Sequence, residues 1–353
     1  RAIITVGVTG YGTALLFLLH GAPDLALTQV LIETVSLLVF LLVLRTLPKY
    51  FTDRPLHSSR WWRMLLALAV GVSVGASVLV AASSRTATPS SAGLETAAYE
   101  IGYGKNIVNV ILVDTRAWDT LGEISVLVIA ATGVASLIFL RSRVQQRRTR
   151  RVTGHQSDGA WLRTTGSLHP AARSLIFEVT TRLLFGIMIM ASLYLLTAGH
   201  NLPGGGFAGG LVAGMALVVR YLAAGGRELE EAAPIDAGRV LGAGLFVAAG
   251  SALVPWAFGG RILQSYDITL DIPALSAVAT PWGTMNLFGD LHLVSSTVFD
   301  VGVYLIVLGM MLDLVRSLGA GIDVQAEEER TPLPRPESTT ALPASARQGG
   351  GPR

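Results

Sequence analysis

About eight long apolar stretches are the feature of this sequence that most constrains its fold. Each has close to the 20 predominantly apolar residues that a transmembrane helix needs. Across its 353 residues the chain is 51% hydrophobic and only 14% charged, and the apolar residues stand in blocks. The sequence therefore predicts an all-α integral membrane protein of about eight transmembrane helices. The predicted spans are Ala2–Leu19, Leu25–Leu44, Trp61–Ala82, Leu121–Leu140, Leu175–Ala198, Gly205–Ala224, Gly238–Phe258 and Leu291–Leu314.

An Arg-rich connector at residues 142–172, punctuated by Gly and Ser, separates two predicted four-helix halves. The first half is residues 1–141 and the second is residues 173–320. Residues 321–353 are rich in Glu, Pro, Ser and Thr, a composition that favours a disordered tail. The chain enters an apolar run directly at Arg1, without Met, so we expect it to be part of a longer chain.

The distribution of basic residues favours one orientation in the membrane. The loop after the second predicted span holds five Arg or Lys residues and the loop after the fourth holds eight, whereas the longer loop between them has only three, beside Glu95, Glu100, Asp114 and Asp119. Because cytoplasmic loops are enriched in Lys and Arg, both ends of the chain are predicted to be cytoplasmic. We expect the Arg-rich connector to contact membrane lipid headgroups rather than nucleic acid.

The residue inventory excludes several kinds of site. The chain has no cysteine, which excludes disulfides, thiolate metal sites and cysteine nucleophiles. Its glycine-rich stretch follows a membrane helix rather than a strand, so it does not have the context of a phosphate-binding loop. We therefore expect no bound organic cofactor.

Two acidic residues on the second predicted span are candidates for an ion or proton path. Asp24 lies at its outer end, and Glu33 lies nine residues further on, about 13 Å deeper and close to mid-membrane. An ionisable group at that depth costs about 2.5–3.5 kcal/mol on insertion scales and needs a reason. Gln29 lies one turn before Glu33, which suggests a hydrated stripe. The alternatives are an N-cap for Asp24 and a structural hydrogen bond for Glu33.

Acidic residues of two later spans complete the candidate path. Glu123 follows Asp119 and Thr120 at the outer end of the fourth predicted span, where an acidic group gathers or releases cations. Asp119 and Thr120 themselves are predicted to cap this helix. Asp300 lies ten residues after Asp290 in the eighth predicted span, about 15 Å deeper if the segment is one helix.

The stretch GHNLPGGGFAGG breaks the chain between the fifth and sixth predicted spans. Irregular backbone at membrane depth survives where it is buried in protein or lines a water-filled cavity. One interpretation is therefore a vestibule for a hydrated cation beside exposed carbonyls; the alternative is a tight hairpin with small residues for helix packing. The vestibule residues are His200, Asn201, Pro203, Gly204, Gly205, Gly206 and Phe207, and the packing glycines are Gly206, Gly210 and Gly214.

Three motif blocks resemble one family. GHNLPGGGFAGGLVAGMAL and GDLHLVSSTVFDVGVYLIVLG resemble the B subunit of Mrp-type multisubunit Na⁺/H⁺ antiporters, over roughly residues 175–318. GAPDLALTQVLIETVSLLVFLLVLR and NVILVDTRAWDTLGEISVL resemble the C-terminal part of the large A subunit, over roughly residues 1–141. The chain thus resembles the end of an A subunit fused to a B subunit, without the A subunit's long N-terminal antiporter-like module.

The resemblance implies a non-enzymatic transporter subunit in a bacterial inner membrane, working with other antiporter subunits to exchange Na⁺ for H⁺. It places the family's acidic residues on Asp24, Glu33 and Glu123 and its Pro and Phe on Pro203 and Phe207. It also implies no metal beyond transported Na⁺. Two alternatives stay open, a non-conducting scaffold subunit and the membrane module of a complex I or hydrogenase relative.

Overall fold

The computed structural model describes residues 2–44, 60–89, 91–145, 175–270, 278–280, 283–285 and 291–330. A π-helical turn, Ile111–Thr115, lies between the fifth and sixth helices. The helices are α1 (Ala2–Leu19), α2 (Pro23–Leu44), α3 (Arg60–Ser83), α4 (Leu94–Glu100), α5 (Ile107–Val110), α6 (Ala117–Gln145), α7 (Leu175–Ala198), α8 (Gly206–Ala224), α9 (Gly226–Ala232), α10 (Ala237–Ala257) and α11 (Ser296–Arg330).

Among the described residues, seven helices are long and apolar enough to cross a membrane: α2, α3, α6, α7, α8, α10 and α11. The helix α1 contributes a shorter apolar stretch, Ile4–Leu19. The predicted helical membrane fold is therefore confirmed, and the protein is a multi-pass membrane protein. The count of about eight spans is not confirmed, because α1 is short.

The beginning of the eighth predicted span is wrong. Residues Leu291–Val294 form a strand, β4, which pairs antiparallel with β1 (Asp267–Leu270), and α11 begins only at Ser296. A polar His between two Leu residues alternates as a strand does, and the neighbouring strand supplies the backbone partners. A second strand pair, β2 (Val278–Thr280) with β3 (Gly283–Met285), lies in the same segment between α10 and α11.

The buried centre of the protein is α8, which packs against α7 and α11. On its face toward α11, a Cβ at Gly210 would lie 2.8 Å from Cβ of Val307, and one at Gly214 would lie 2.6 Å from Cβ of Met311. No larger side chain has room at these positions. The glycine stripe therefore brings the α8 backbone close to α11, as small residues do between membrane helices.

One buried polar cluster joins α7, α8 and α11. The Ser192 hydroxyl donates to the Gly209 carbonyl over 2.8 Å and lies 2.9 Å from the Tyr304 hydroxyl. Ser192 and Tyr304 are both buried. Because an unpaired hydroxyl is costly in an apolar surrounding, this cluster also fixes how the three helices face one another.

Among the first four long helices, some pack on one another and some pack on helices of the second predicted half. The helix α1 packs on α2, where the Tyr11 hydroxyl lies 2.9 Å from Oγ1 of Thr34. The helix α2 also packs on α8, and α6 packs on α10 and α11. Every residue of α3 is exposed. Hydropathy marks the spans, but it does not say which helices touch.

Helical structure extends into two segments that were predicted to be irregular. The helix α6 continues to Gln145, into the connector, and α11 continues to Arg330, into the tail expected to be disordered. The last turns of α11 contain Ala, Glu and Arg, which are good helix formers, so α11 extends beyond its apolar part. The remainder of both predictions, residues 146–174 and 331–353, lies outside the described residues.

Candidate functional site

The glycine turn between α7 and α8 is a tight reversal whose two ends are buried and whose middle, residues 201–203, is exposed. Gly205 has φ +98°, a backbone angle that favours glycine, and its N–H donates to the carbonyl of Leu195 over 2.8 Å. The next residue, Gly206, is the first of α8. This reversal presents the amides of the turn to two carboxylates from distant parts of the chain.

The first carboxylate is Asp24, at the start of α2. Its Oδ1 accepts hydrogen bonds from the Gly204 N–H and from the Asn106 side-chain amide, each 3.0 Å long. Asp24 is only 9% exposed, and it is the second residue of α2. Its side chain therefore ties α2 to the glycine turn, and the N-cap alternative is wrong.

The second carboxylate is Asp300, near the start of α11. Its Oδ1 accepts the Gly206 N–H over 2.8 Å, and the Asn109 side chain also hydrogen bonds to this carboxylate. A Cβ at Gly206 would lie 2.6 Å from Oδ1, so only glycine permits this approach. Asp300 thus supplies the capping group that the N-cap residue Gly205 lacks, at the end of α8 where the helix dipole favours negative charge.

The sequence suggested that Asp300 lies deep in the membrane along one continuous helix. The structure does not place it there. Because α11 begins at Ser296, Asp300 is only four residues from the helix start, beside the glycine turn. The predicted depth assumed that Asp290 belongs to the same helix. Asp290 itself lies outside the described residues.

One short helix, α5, supplies both asparagines. Asn106 is its N-cap, accepting the Asn109 N–H over 3.3 Å, and its side-chain amide also donates to the carbonyls of Gly199 and Leu202, each over 2.9 Å. The backbone N–H of Asn106 donates to the carbonyl of His200. Each of these three carbonyls therefore accepts a hydrogen bond from Asn106, and the cation vestibule beside them stays a prediction.

The remaining vestibule candidates differ in exposure. The Asn201 side chain is exposed and accepts the Lys105 backbone N–H over 3.3 Å. Pro203 is exposed, while Phe207 is half-buried and packs against the apolar core. His200 is buried, and burial lowers the pKa of its imidazole.

Glu33 lies in the contact between α1 and α2. Its carboxylate packs directly against Gly10, where no side chain would fit. Glu33 is partly exposed, and within the described residues no hydrogen bond or ion pair to its carboxylate is found. Glu33 is ten residues after Pro23, so the carboxylate lies about 15 Å along α2, near its middle.

Glu123 is exposed on α6, and the structure does not gather it with Glu33 into one pocket. The neighbouring cap predictions are wrong, because α6 begins at Ala117. Asp119 instead pairs with Arg116 at 2.5 Å, and the Thr120 hydroxyl donates to the carbonyl of Leu112 over 2.6 Å. In the described ranges no group of three or more His, Asp or Glu side chains is arranged to hold a metal ion.

The sequence analysis missed Asn106 and Asn109, although they connect both buried carboxylates to the turn. The available signal is their three-residue spacing within the otherwise apolar stretch NIVNVILV, because buried amides need partners. That spacing places both side chains on one face of a short helix.

Comparison with known families covers most of the chain. Residues 176–313 match the family described as "Domain related to MnhB subunit of Na+/H+ antiporter". Residues 1–49 match the family of the D subunit of MBH, and residues 58–152 match the family of the E subunit of MBH.

Two curated relatives match over different lengths. The chain is 34% identical over 326 residues to a probable K⁺/H⁺ antiporter A/B subunit of Rhizobium meliloti (strain 1021), covering 87% of this chain and 31% of the relative. It is 44% identical over 137 residues to the A subunit of a Na⁺/H⁺ antiporter of Bacillus subtilis (strain 168), covering 39% of this chain and 17% of the relative. The chain thus spans less than a third of the length of these relatives.

A solved structure agrees with these matches. The "Structure of Mrp complex from Dietzia sp. DQ12-45-1b" contains a chain that is 29% identical, with a TM-score of 0.70, over 94% of this chain and 33% of that one. The MnhB-related match lies after the two MBH matches, in the order that the motif blocks predicted. The family matches, the curated relatives and the solved structure thus all support an Mrp antiporter A/B-type segment.

Proposed function

We propose that the protein is a membrane subunit of a multisubunit monovalent cation/proton antiporter, and that Glu33 is an acidic station on its ion path. The family matches and the curated relatives support the first part. The second rests on Glu33, a carboxylate near the middle of a membrane helix with no partner among the described residues. Such a group is costly unless it is protonated, hydrated or neutralised by a cation.

Glu123 extends this path toward a neighbouring subunit. Its side chain is exposed on α6, near the end of the predicted span. A carboxylate that faces lipid is unfavourable, so an exposed acid at this position is best accommodated in an interface with another antiporter subunit. The partners we propose are therefore the other subunits of the same complex, together with membrane lipids at the Arg-rich segments.

Asp24 and Asp300 have a different role in this proposal. Both carboxylates accept hydrogen bonds from the glycine turn and from an Asn of α5. Their acceptor sites are engaged in holding α2, α5, α8 and α11 together. They form the joint that keeps the Glu33 helix in a fixed position relative to the MnhB-related part.

The transported ions are proposed to be H⁺ and a monovalent cation, with Na⁺ as the first ion to test. Carboxylate and amide oxygens are hard ligands that suit such cations. K⁺ is the second ion to test, because one relative is described as belonging to a K⁺/H⁺ antiporter. We propose no resident cofactor and no enzymatic activity, and an orientation with both ends of the segment in the cytoplasm of a bacterial inner membrane.

The test compares Glu33→Gln and Glu33→Asp in the complete complex. The chain, within its full-length protein and with its partner subunits, is expressed in a bacterial host without its own antiporters. Antiport is measured in everted vesicles from the fluorescence of a pH-sensitive dye after addition of Na⁺ or K⁺. We expect Glu33→Gln to lose most of the activity and Glu33→Asp to retain part of it.

The control is Glu100→Gln, which neutralises an exposed carboxylate on α4, outside the predicted spans. It is expected to leave antiport unchanged. Complex assembly is checked for every variant by native gel electrophoresis. Normal antiport in an assembled Glu33→Gln complex would show that this chain acts as a non-conducting scaffold and would remove Glu33 from the path.

A second candidate function is the membrane module of a redox-driven complex. The matches of residues 1–49 and 58–152 to MBH subunits favour it. Purification of the native complex separates the two candidates. Iron–sulfur subunits that co-purify in stoichiometric amount would support the redox-driven module, and a complex of antiporter subunits alone would contradict it.

A further inference from the structure

A second pair of ionisable side chains lies beside the turn Gly102–Gly104, separate from the Asp24 and Asp300 joint. A Cβ at Gly102 would lie 3.4 Å from Oδ2 of Asp114, and a Cβ at Gly104 would lie 2.8 Å from Nε2 of His200. The two glycines therefore leave room for a carboxylate and an imidazole against one short piece of backbone.

Each of these side chains has one buried polar atom that lacks a hydrogen-bond partner within the described residues. Oδ2 of Asp114 and Nε2 of His200 are both buried and have no hydrogen-bond partner among the described residues. His200 as a whole is only 9% exposed. The Asp114 carboxylate hydrogen bonds to the side chain of Ser265, and the imidazole hydrogen bonds to the backbone of Tyr103. Unpartnered buried polar atoms are rare in proteins and are frequent at sites that exchange a proton or ligand.

The backbone that carries Asp114 is itself unusual. Asp114 belongs to the π-helical turn Ile111–Thr115, an element that is rare and is frequently found at functional sites. The Thr120 hydroxyl stabilises the turn by donating to the carbonyl of Leu112. The turn is thus held by a tertiary contact, in a conformation that aims Asp114 toward the Gly102–Gly104 backbone.

We propose that Asp114 and His200 form a proton-binding pair that takes up one H⁺ from the solvent at the glycine-turn end of the protein. The proton resides on the Asp114 carboxyl or on the imidazole and returns to solvent from either group, so no other bond is made or broken. This pair deepens the proposed antiport function, on which it rests, by giving the transported proton an exchange site at the predicted outer face.

The ionisation tendencies of the two groups support the pair. Burial raises the pKa of Asp114 and lowers the pKa of His200, and the attraction between the two partly opposes both shifts. The two pKa values are therefore closer together than those of a free carboxyl and a free imidazole. A proton moves between groups of similar pKa at a small free-energy cost.

Other charged groups surround the pair. Asp267, exposed at the start of β1, favours the protonated imidazole. Lys105 is exposed on the segment next to the Gly102–Gly104 turn, and Arg116, two residues after Asp114, pairs with Asp119. Asp24 lies on the far side of Asn106, where two donors bind its carboxylate.

The test is infrared difference spectroscopy of the purified complex between two pH values. We expect a band of a protonated carboxyl that persists to a pH above that at which exposed carboxyls ionise. Asp114→Asn should lose this band, Asp114→Glu should restore it at a shifted frequency, and His200→Gln should shift its midpoint. The exposed-carboxyl variant Glu95→Gln should keep it.

Retention of the full band in an assembled Asp114→Asn complex would overturn the proposal. A second measurement is the pH profile of antiport, whose midpoint should move by about one pH unit in His200→Gln. The infrared measurement does not depend on transport. If the unaltered complex has no antiport, the proposed function fails while the proton-binding pair is still tested by its spectrum.

Discussion

The MnhB-related part and the first three helices of this protein are both strongly apolar, yet they are packed in opposite ways. In α8, Val218 is 0% exposed, whereas in α3 Leu79 is 73% exposed. Both helices are nevertheless long and apolar enough to cross a membrane. In a membrane, lipid is as apolar as leucine, so apolarity does not drive helices together.

Residue size explains the difference. The helix α8 carries glycines that let α11 approach, while Gly71 and Gly75 of α3 have nothing within 4 Å. The same small-residue spacing is thus used inside the chain in one region and left unused in the other. The MnhB-related part holds its own core, whereas every residue of α3 is exposed within the described chain.

The largest loss of stability should come from placing a larger side chain in the contact between α8 and α11. Gly210→Leu places a side chain where Val307 and Tyr304 already lie, and overpacking of this kind costs about 1–3 kcal/mol or more. We expect a marked fall in the thermal unfolding temperature of the detergent-purified complex. The control Gly71→Leu should leave the fold of this chain unchanged. A larger loss of stability in Gly71→Leu than in Gly210→Leu would contradict the difference in packing between α3 and α8.

The second-largest loss of stability should come from a change at the Asp24 and Asp300 joint, which connects the two regions. Asn106→Ala removes the amide that donates to Asp24 and to the carbonyls of Gly199 and Leu202, so each loses a donor and the buried Gly199 carbonyl is left without this partner. We expect a loss of about 2–3 kcal/mol. Hydrogen exchange should accelerate at residues 106–110 and 199–206.

The matched control for the joint is Asn201→Ala, which removes an exposed amide from the same turn. Its exchange rates should stay close to those of the unaltered protein. Equal exchange in the two variants would show that Asn106 does not hold the regions together.

A smaller effect is expected from the polar cluster in the MnhB-related part. Ser192→Ala loses the hydrogen bonds to Gly209 and Tyr304, a change of about 1 kcal/mol. In the exposed region, Ser77→Ala loses only a bond to the Ser73 carbonyl of its own helix and should have no measurable effect. Thermal unfolding in one detergent measures both, and a larger effect of Ser77→Ala would contradict the packing described.

The smallest effect is expected on how the stability of the folded protein depends on pH. Burial lowers the pKa of His200, so the folded protein resists protonation that the unfolded chain accepts. His200 therefore contributes stability above its ordinary pKa of 6.5, and this is lost as the pH falls toward the lowered folded value.

His200→Gln should abolish that part of the acid-induced loss, measured as unfolding temperature between pH 7 and pH 5. In the contrasting region, His20→Gln changes an exposed ring at the end of α1 and should leave the pH dependence as it is. An identical pH dependence in His200→Gln and the unaltered protein would contradict the burial of this imidazole.

Much of the helical framework could be predicted from the sequence, because long apolar runs directly report the length that a bilayer demands. The helix α7 has the predicted bounds, and α8 begins one residue after the predicted start. The start of α11 could not be predicted in this way. A few apolar residues beside His292 suit either a strand or a helix, and only the pairing with β1 decides between them.

The roles of the acidic residues were harder to predict than their presence. Asp24 was identified as unusual, but its partners Asn106 and Gly204 are 82 and 180 residues away along the chain. No local pattern reports such pairings. Glu33 was recognised from depth alone, since depth along a helix follows from counting residues.

The hydrogen bond between Asp24 and Gly204 can form during biosynthesis only after both residues have been synthesised. The 180 residues that separate them take roughly 10–40 s to translate at about 5–20 residues per second. During that interval α2 has left the ribosome with an acidic group whose final amide donor has not yet been made. The nascent α2 therefore acquires its attachment to the glycine turn only after that turn has emerged and Gly204 can donate to the Asp24 carboxylate.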